Sequence, residues 1–136
     1  MIERYSRPEM AAIWTLENKF KKWLEIEVYA CEAWAELGVI PKEAVARLRE
    51  KATFSVDRIL ELEAVTRHDV VAFTRTVAEK LGDESKYLHY GLTSSDVVDT
   101  ALAALMTEAS DLLATGIEHL LAALKAKARE HKFTLM

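Results

Sequence analysis

The sequence predicts an all-α protein in which several short helices precede one long helix. The 136 residues include only four glycines and two prolines, which favours few turns and long helices. Apolar residues recur at spacings of three and four along most of the chain, which is the period of an amphipathic helix. Half of the residues are hydrophobic and 29% are charged, a balance typical of a soluble globular protein.

The first two helices are delimited by proline, threonine and glycine. Pro8 is suited to the first turn of a helix that continues to Trp14. Thr15 begins a segment that can cap a second helix, and Gly38 ends that helix in the usual way. Its apolar positions are Phe20, Trp23, Leu24, Val28, Ala30, Cys31, Trp34 and Leu37.

Three further short helices follow. Pro41 opens the third, which extends to about Lys51, and Ser55 caps the fourth. The fifth runs from about residue 69 to residue 81 and is stopped by Gly82. A polar connector, residues 83–86, then leads toward the long helix.

Everything after Ser94 follows one helical pattern, with an apolar surface too wide for a single neighbour. The helix would be roughly 55 Å long at 1.5 Å per residue, so partners must come from other subunits or from sequence beyond this chain. Because the chain stops at Met136 without a polar tail, we expect a fragment of a longer protein. One predicted stripe is Val98, Leu102, Leu105, Ala109, Leu112, Gly116, Leu120 and Leu124, and the second is Val97, Ala101, Met106, Leu113, Ile117 and Leu121.

Composition excludes several classes of function. The net charge of -4 gives no indication of a nucleic-acid or anionic-membrane partner. The single Cys31 excludes an internal disulfide and is expected to be a buried, inert thiol. Neither a secretory signal nor a membrane-spanning segment is evident, so we expect a cytoplasmic location. No Cys/His spacing predicts a metal site.

Arg67, His68 and Asp69 form the first candidate site, at the junction of the fourth and fifth helices. An imidazole between a guanidinium and a carboxylate can bind an anion or handle a proton. The alternative is that Asp69 is only the N-cap of the fifth helix and that Arg67 is only a cation at the end of the fourth.

The segment from His89 to Asp96 is the second candidate site. Thr93 and Asp96 match a capping box, and hydroxyls beyond the one that a cap needs, such as that of Ser94, favour a carboxylate at the helix N-terminus. Capping alone remains an alternative for Thr93 and Ser94. The alternative for His89 is a packed histidine whose ring is satisfied internally.

Arg4 and Tyr5, near the N-terminus, form the third candidate site. A guanidinium beside a phenol is a suitable phosphate ligand. The alternative is a solvated basic tail.

Taken together, three motifs resemble the adenylosuccinate lyase family of the aspartase/fumarase superfamily. They are Arg-Tyr-Ser-Arg-Pro-Glu-Met at residues 4–10, Thr-Arg-His-Asp-Val at 66–70 and His-Tyr-Gly-Leu-Thr-Ser-Ser-Asp at 89–96. The Thr-Ser-Ser-Asp element is shared across the superfamily, whereas the other two are more specific. The resemblance covers the whole chain, in order.

The resemblance implies β-elimination of adenylosuccinate to AMP and fumarate, and the equivalent cleavage of a succinylated carboxamide ribotide, without a cofactor or metal. It assigns Thr93 and Ser94 to the dicarboxylate. It assigns Arg4 and Tyr5 to binding of the nucleotide phosphate, and it associates His89 with the binding of the same phosphate. The residues from Arg67 to Asp69 line the substrate, with His68 near the reacting centre.

The resemblance also implies an architecture. Residues 1–93 would be an N-terminal helical domain, and residues 94–136 the start of a central helical bundle that assembles a homotetramer. The main acid and base of the family would lie beyond Met136, so the chain alone is expected to be inactive. Two alternatives remain: a sibling lyase acting on argininosuccinate or carboxymuconate, and a non-catalytic helical oligomerisation module.

Overall fold

The computed structural model describes residues 2–135, apart from the side chain of Glu3. The described residues contain six α-helices and no strand, which confirms the all-α prediction. Two 3-10 helices, Glu3–Tyr5 and Gly82–Tyr87, complete the secondary structure. The α-helices are α1 (Pro8–Ile13), α2 (Leu16–Glu36), α3 (Lys42–Lys51), α4 (Val56–Thr66), α5 (Asp69–Leu81) and α6 (Ser94–Glu130).

Local capping explains most of these boundaries. The Thr15 hydroxyl accepts a hydrogen bond from the Asn18 N–H at 3.2 Å, and Ser55 caps α4 in the same way at 3.4 Å. Gly38, after α2, has a φ of 75°, a conformation that glycine adopts at little cost. The predicted starts of α2 and α4 and the predicted end of α2 are confirmed.

An aromatic cluster joins α2 to α5 at the centre of the molecule. Phe20 and Trp23 of α2 both contact Phe73 of α5, with ring centroids 5.9 and 5.5 Å apart. All three rings are almost completely buried, so they provide much of the apolar area that drives folding. Val97 and Ala101 of α6 belong to the same core, which attaches the start of the long helix to the preceding helices.

Only the first half of α6 is packed within the chain. Its buried residues are Val97, Ala101, Leu105 and Ala109, spaced by four. This row takes members from both predicted stripes, so the division into two stripes was wrong for the packed half. From Ser110 to Leu135 every residue is exposed, including Ile117 at 65%. The described residues supply no neighbour for this apolar surface, as expected.

No helix in the described part of the chain is long and apolar enough to cross a membrane.

The Cys31 thiol is the most clearly perturbed buried group. It is 1% exposed, and its Sγ lies 3.2 Å from the Tyr87 carbonyl oxygen, to which the thiol donates. Burial, reinforced by the negative charges of Glu27 and Glu32, raises the pKa of Cys31 to about 11. The expectation of a buried thiol is therefore confirmed, and the raised pKa favours the expected low reactivity.

We expect Cys31 to react very slowly with iodoacetamide in the folded chain. At pH 8 a pKa of about 11 instead of 9.0 lowers the thiolate fraction by about 100-fold, and burial slows access further. The rate of Cys31 alkylation, measured by intact mass, should keep rising with pH toward 11. The free energy of unfolding should fall as the pH rises from about 9 toward 11, because the thiol ionises more readily in the unfolded chain. The same chain in urea is the reference. A rate that levels near pH 9 would contradict the assignment.

Candidate functional site

Three side chains on one face of α2 hold the segment that precedes α6. Glu27, Cys31 and Trp34 are spaced by four and three, so they project from neighbouring turns of the same face. Cys31 contacts the Tyr87 carbonyl oxygen, and the Trp34 indole N–H donates to the Tyr90 carbonyl oxygen at 2.9 Å. Glu27 contacts the residue between them, His89.

The contact between Glu27 and His89 involves both carboxylate oxygens. Oε2 of Glu27 accepts from the backbone N–H of His89 at 2.7 Å, and Oε1 lies 2.6 Å from the ring Nδ1. Glu27 is fully buried, whereas the His89 side chain is 26% exposed. The two interactions fix the orientation of the ring. His89 is therefore a histidine whose ring is partly satisfied internally, as the alternative interpretation expected. Its role in binding stays a prediction.

The turn around His89 has unusual backbone geometry. His89 has a φ of 60° and Gly91 a φ of 72°, both in the left-handed region. A Cβ added at Gly91 would lie 2.9 Å from Cζ2 of Trp34, so the position has neither the conformation nor the space for a side chain. Trp34 and Tyr90 also pack edge to face, with ring centroids 5.7 Å apart.

The capping box predicted at the start of α6 is confirmed. Thr93 is the N-cap, and its backbone N–H donates to the Asp96 carboxylate at 2.8 Å. Ser94 is the first residue of the helix, and its half-buried side chain takes no part in this box. A helix N-terminus with an uncommitted hydroxyl beside it can accept a carboxylate or a phosphate.

The junction of α4 and α5 consists of two adjacent capping residues, Arg67 and His68. Arg67 ends α4 with a left-handed φ of 54°, and its backbone N–H donates to Glu63 at 2.8 Å. His68 is the N-cap of α5, and its Nδ1 accepts from the Val71 N–H at 3.4 Å. Because Nδ1 accepts, the ring proton belongs on Nε2, which makes Nε2 a donor toward solvent or a ligand.

One alternative for this junction is corrected by the structure. Asp69 is not the N-cap of α5 but its first residue, one position further along. Its carboxylate accepts from the Val70 N–H at 2.8 Å and lies 3.7 Å from Nδ1 of His68. An imidazole can fill the N-cap position because its Nδ1 lone pair reaches the first-turn N–H groups as a carboxylate oxygen would.

Arg4 and Tyr5 lie on the first 3-10 helix, close to the start of the chain. The Arg4 guanidinium carbon is 4.8 Å from the centroid of the Tyr5 ring, a cation–π arrangement that leaves both side chains exposed. Exposure and a common direction suit an anionic ligand, although nothing else in the described residues forms a wall around them.

The structure does not assemble the predicted residues into one cavity. Within residues 2–135, no hydrogen bond or ion pair joins the Arg4–Tyr5 segment, the Arg67–Asp69 junction and the segment 89–94 to one another. Arg67 lines an open depression on α4 with Leu60, Glu63 and Ala64, and none of the other predicted residues lines it. Among the described residues no cluster of His, Cys, Asp and Glu is suited to a metal ion.

Glu27 is the residue of this region that sequence reasoning missed. A signal was present, because Glu27 occupies the apolar row of α2, four residues after Trp23 and four before Cys31. A carboxylate at a core position is rare unless it has a partner, so this irregularity in the pattern marks a buried pair.

A family model described as "Lyase" matches residues 3–136. The chain therefore belongs to this lyase family.

Two curated relatives are similar over the whole chain. The chain is 64% identical over 136 residues to "Adenylosuccinate lyase" of Bacillus subtilis (strain 168), and 60% identical over 136 residues to the protein of the same name from Streptococcus mutans serotype c (strain ATCC 700610 / UA159). The match covers 100% of this chain and 32% of each relative, so the chain spans about a third of their length.

A solved structure shares the fold. The crystal structure of fumarate lyase from Mesorhizobium sp. BNC1 superposes with a TM-score of 0.83 at 26% identity, over 89% of this chain and 29% of that one.

Replacing Gly91 with alanine should destabilise the chain. The left-handed φ costs about 1–3 kcal/mol for a residue with a Cβ, and the Cβ would also displace Trp34. Urea unfolding followed by circular dichroism measures the change. The matched control is Gly116→Ala, at an open position within α6, which should be neutral or stabilising by up to about 1 kcal/mol. Equal effects of the two substitutions would contradict the geometry at Gly91.

Proposed function

We propose that this chain is the N-terminal part of an adenylosuccinate lyase, which cleaves adenylosuccinate to AMP and fumarate by β-elimination. The observation that carries the proposal is the 64% identity over all 136 residues to an adenylosuccinate lyase. The same enzyme would cleave the succinylated aminoimidazole carboxamide ribotide in purine biosynthesis. No cofactor is expected.

The start of α6 is the proposed binding site of the dicarboxylate. Thr93 caps the helix, and Ser94 adjoins the first-turn N–H groups, which carry the positive end of a dipole summed over 37 residues. In the proposed reaction, removal of a proton beside a carboxylate places negative charge on that carboxylate. Donors aimed at this charge stabilise the transition state more than the ground state.

The phosphate of the nucleotide is proposed to bind Arg4 and Tyr5. The pair is exposed, and the guanidinium is held over the ring, 4.8 Å from its centroid. An arginine arranged in this way keeps its donors available for phosphate oxygens. This element separates the proposal from a sibling lyase acting on argininosuccinate or carboxymuconate, substrates that carry no phosphate.

His68 is proposed to lie beside the reacting centre, with Arg67 and Asp69 contributing to the same substrate-binding strip. Nδ1 of His68 is engaged with the Val71 N–H, so Nε2 is the nitrogen that can donate to the substrate. The side chain is 47% exposed, which leaves Nε2 accessible to a ligand.

The remainder of the site is proposed to come from outside these residues. The exposed apolar surface of α6 after Ser110 is suited to a helical bundle between subunits, and a homotetramer in the cytoplasm is the proposed assembly. The domain boundary is proposed at residues 93/94, with α6 entering the bundle. The main acid and base would lie beyond residue 136, so the chain by itself should not release fumarate.

Ser94→Ala in the complete lyase should lower kcat/KM for adenylosuccinate by about 100-fold, the effect of losing one donor to a developing oxyanion. Fumarate release, followed by absorbance, measures the change. The matched control is Thr74→Ala on α5, where the hydroxyl donates to the Val71 carbonyl oxygen at 3.2 Å. If both variants retain normal kcat/KM, Ser94 has no role in catalysis. If the unaltered lyase releases no fumarate from adenylosuccinate, the proposed function is wrong.

Arg4→Ala should weaken AMP binding to the complete lyase by about tenfold or more, because a charge-assisted hydrogen bond to phosphate is lost. Isothermal titration calorimetry measures the affinity, with the exposed Arg75→Ala as the matched control. A lyase of the argininosuccinate or carboxymuconate type would not bind AMP, and a non-catalytic oligomerisation module would bind neither AMP nor fumarate.

A further inference from the structure

Glu27 is the one fully buried carboxylate of the described core. Its only ion-pair partner among residues 2–135 is the ring of His89, and neither a lysine nor an arginine lies within ion-pair distance of it. A buried carboxylate that lacks a partner is strongly unfavourable, so the contact with His89 is what makes Glu27 acceptable at this position.

The two oxygens of Glu27 impose a definite protonation on His89. One accepts from the backbone N–H, which is always a donor. The other lies 2.6 Å from Nδ1, and an ionised carboxylate in this position can only accept, which places a proton on Nδ1. The ring is therefore held through Nδ1 and through the backbone N–H of His89, and Nε2 is the nitrogen left for a ligand.

The backbone of His89 is also held in place from α2. Cys31 and Trp34 contact the carbonyl oxygens of Tyr87 and Tyr90, the residues that flank this turn. The left-handed φ of His89 is unfavourable for a residue with a Cβ and persists only where its surroundings determine it. Three neighbouring turns of α2 supply those surroundings.

We propose that Glu27 is a positioning residue for the lyase reaction: it fixes the ring of His89 with the proton on Nδ1 and presents Nε2, which then accepts, to a hydrogen-bond donor of the substrate. The proposal rests on the proposed function for its catalytic part. His68 differs in this respect, because its Nδ1 accepts from the Val71 N–H and its Nε2 carries the proton. The two histidines would thus present opposite hydrogen-bonding characters to a ligand.

Glu27→Gln is the sharpest test, because it preserves the shape of the side chain, removes its charge and replaces one accepting oxygen with a donating N–H₂ group. The amide oxygen would accept from the His89 backbone N–H, since that group can only donate. The amide N–H₂ would then face Nδ1, which would have to lose its proton and accept. We therefore expect the ring proton to move from Nδ1 to Nε2.

Nitrogen-15 NMR of the histidine rings in the 136-residue chain reports this directly. His89→Gln identifies the signal among the four histidines, and the exposed Glu36→Gln on the same helix is the matched control. In the unaltered chain and in Glu36→Gln, Nδ1 of His89 should be protonated. In Glu27→Gln it should not. An unprotonated Nδ1 in the unaltered chain, a result that requires no variant to fold, would overturn the proposal.

A kinetic double-mutant cycle in the complete lyase tests the catalytic part. Glu27→Gln should lower kcat/KM by about tenfold or more through misplacement of the ring, and it should cause no further loss when His89 is already glutamine. An equal loss in both backgrounds would mean that Glu27 only supports the fold, and would overturn its role in catalysis. If the lyase does not cleave adenylosuccinate, the proposed function fails, while the NMR result still decides whether Glu27 positions His89.

Discussion

The packing of Phe20 and Trp23 of α2 against Phe73 of α5 is the interaction on which the rest of the structure depends. It fixes α2 in the middle of the molecule, with both large rings buried. The next turns of the same helix carry Glu27, Cys31 and Trp34, which hold the turn before α6. The position of the candidate site is therefore set by a hydrophobic cluster that contains none of the candidate residues.

Two histidines on two different junctions illustrate how environment assigns chemical roles. His68 caps α5 through an accepting Nδ1, whereas the Nδ1 of His89 lies 2.6 Å from a buried carboxylate, to which we propose that it donates. Since the two side chains are chemically identical, the difference comes wholly from the partner of one ring nitrogen. A ligand that offers both an acceptor and a donor group would match two ring nitrogens of such different character.

The two halves of the long helix α6 differ in how they are stabilised. Its first four turns bury a row spaced by four residues against the preceding helices, and its remaining residues expose apolar side chains such as Leu113 and Leu124. A helix of this length is not stabilised by its own hydrogen bonds alone, because most helical stability in proteins comes from tertiary packing. The exposed half is thus the part of the fold whose stability is expected to depend on other chains or on further sequence.

The helix boundaries were determined by the sequence itself. The starts at Thr15, Ser55 and Thr93 and the end at Gly38 depend on hydrogen bonds between residues three to five positions apart, which a sequence displays directly. The start at Pro8 and the end at Gly82 depend on the backbone conformations that proline and glycine favour. The candidate residues at 4–5, 67–69 and 89–94 also came from sequence motifs, and their roles in binding remain predictions.

Only the tertiary structure decided that Glu27 pairs with His89, that His68 replaces Asp69 as the cap of α5, and which row of α6 is buried. The first and the last of these depend on contacts between distant parts of the chain, such as the 62-residue separation between Glu27 and His89. The middle one depends on the rotamer of a single ring. Neither kind of information is contained in a local pattern of residue types.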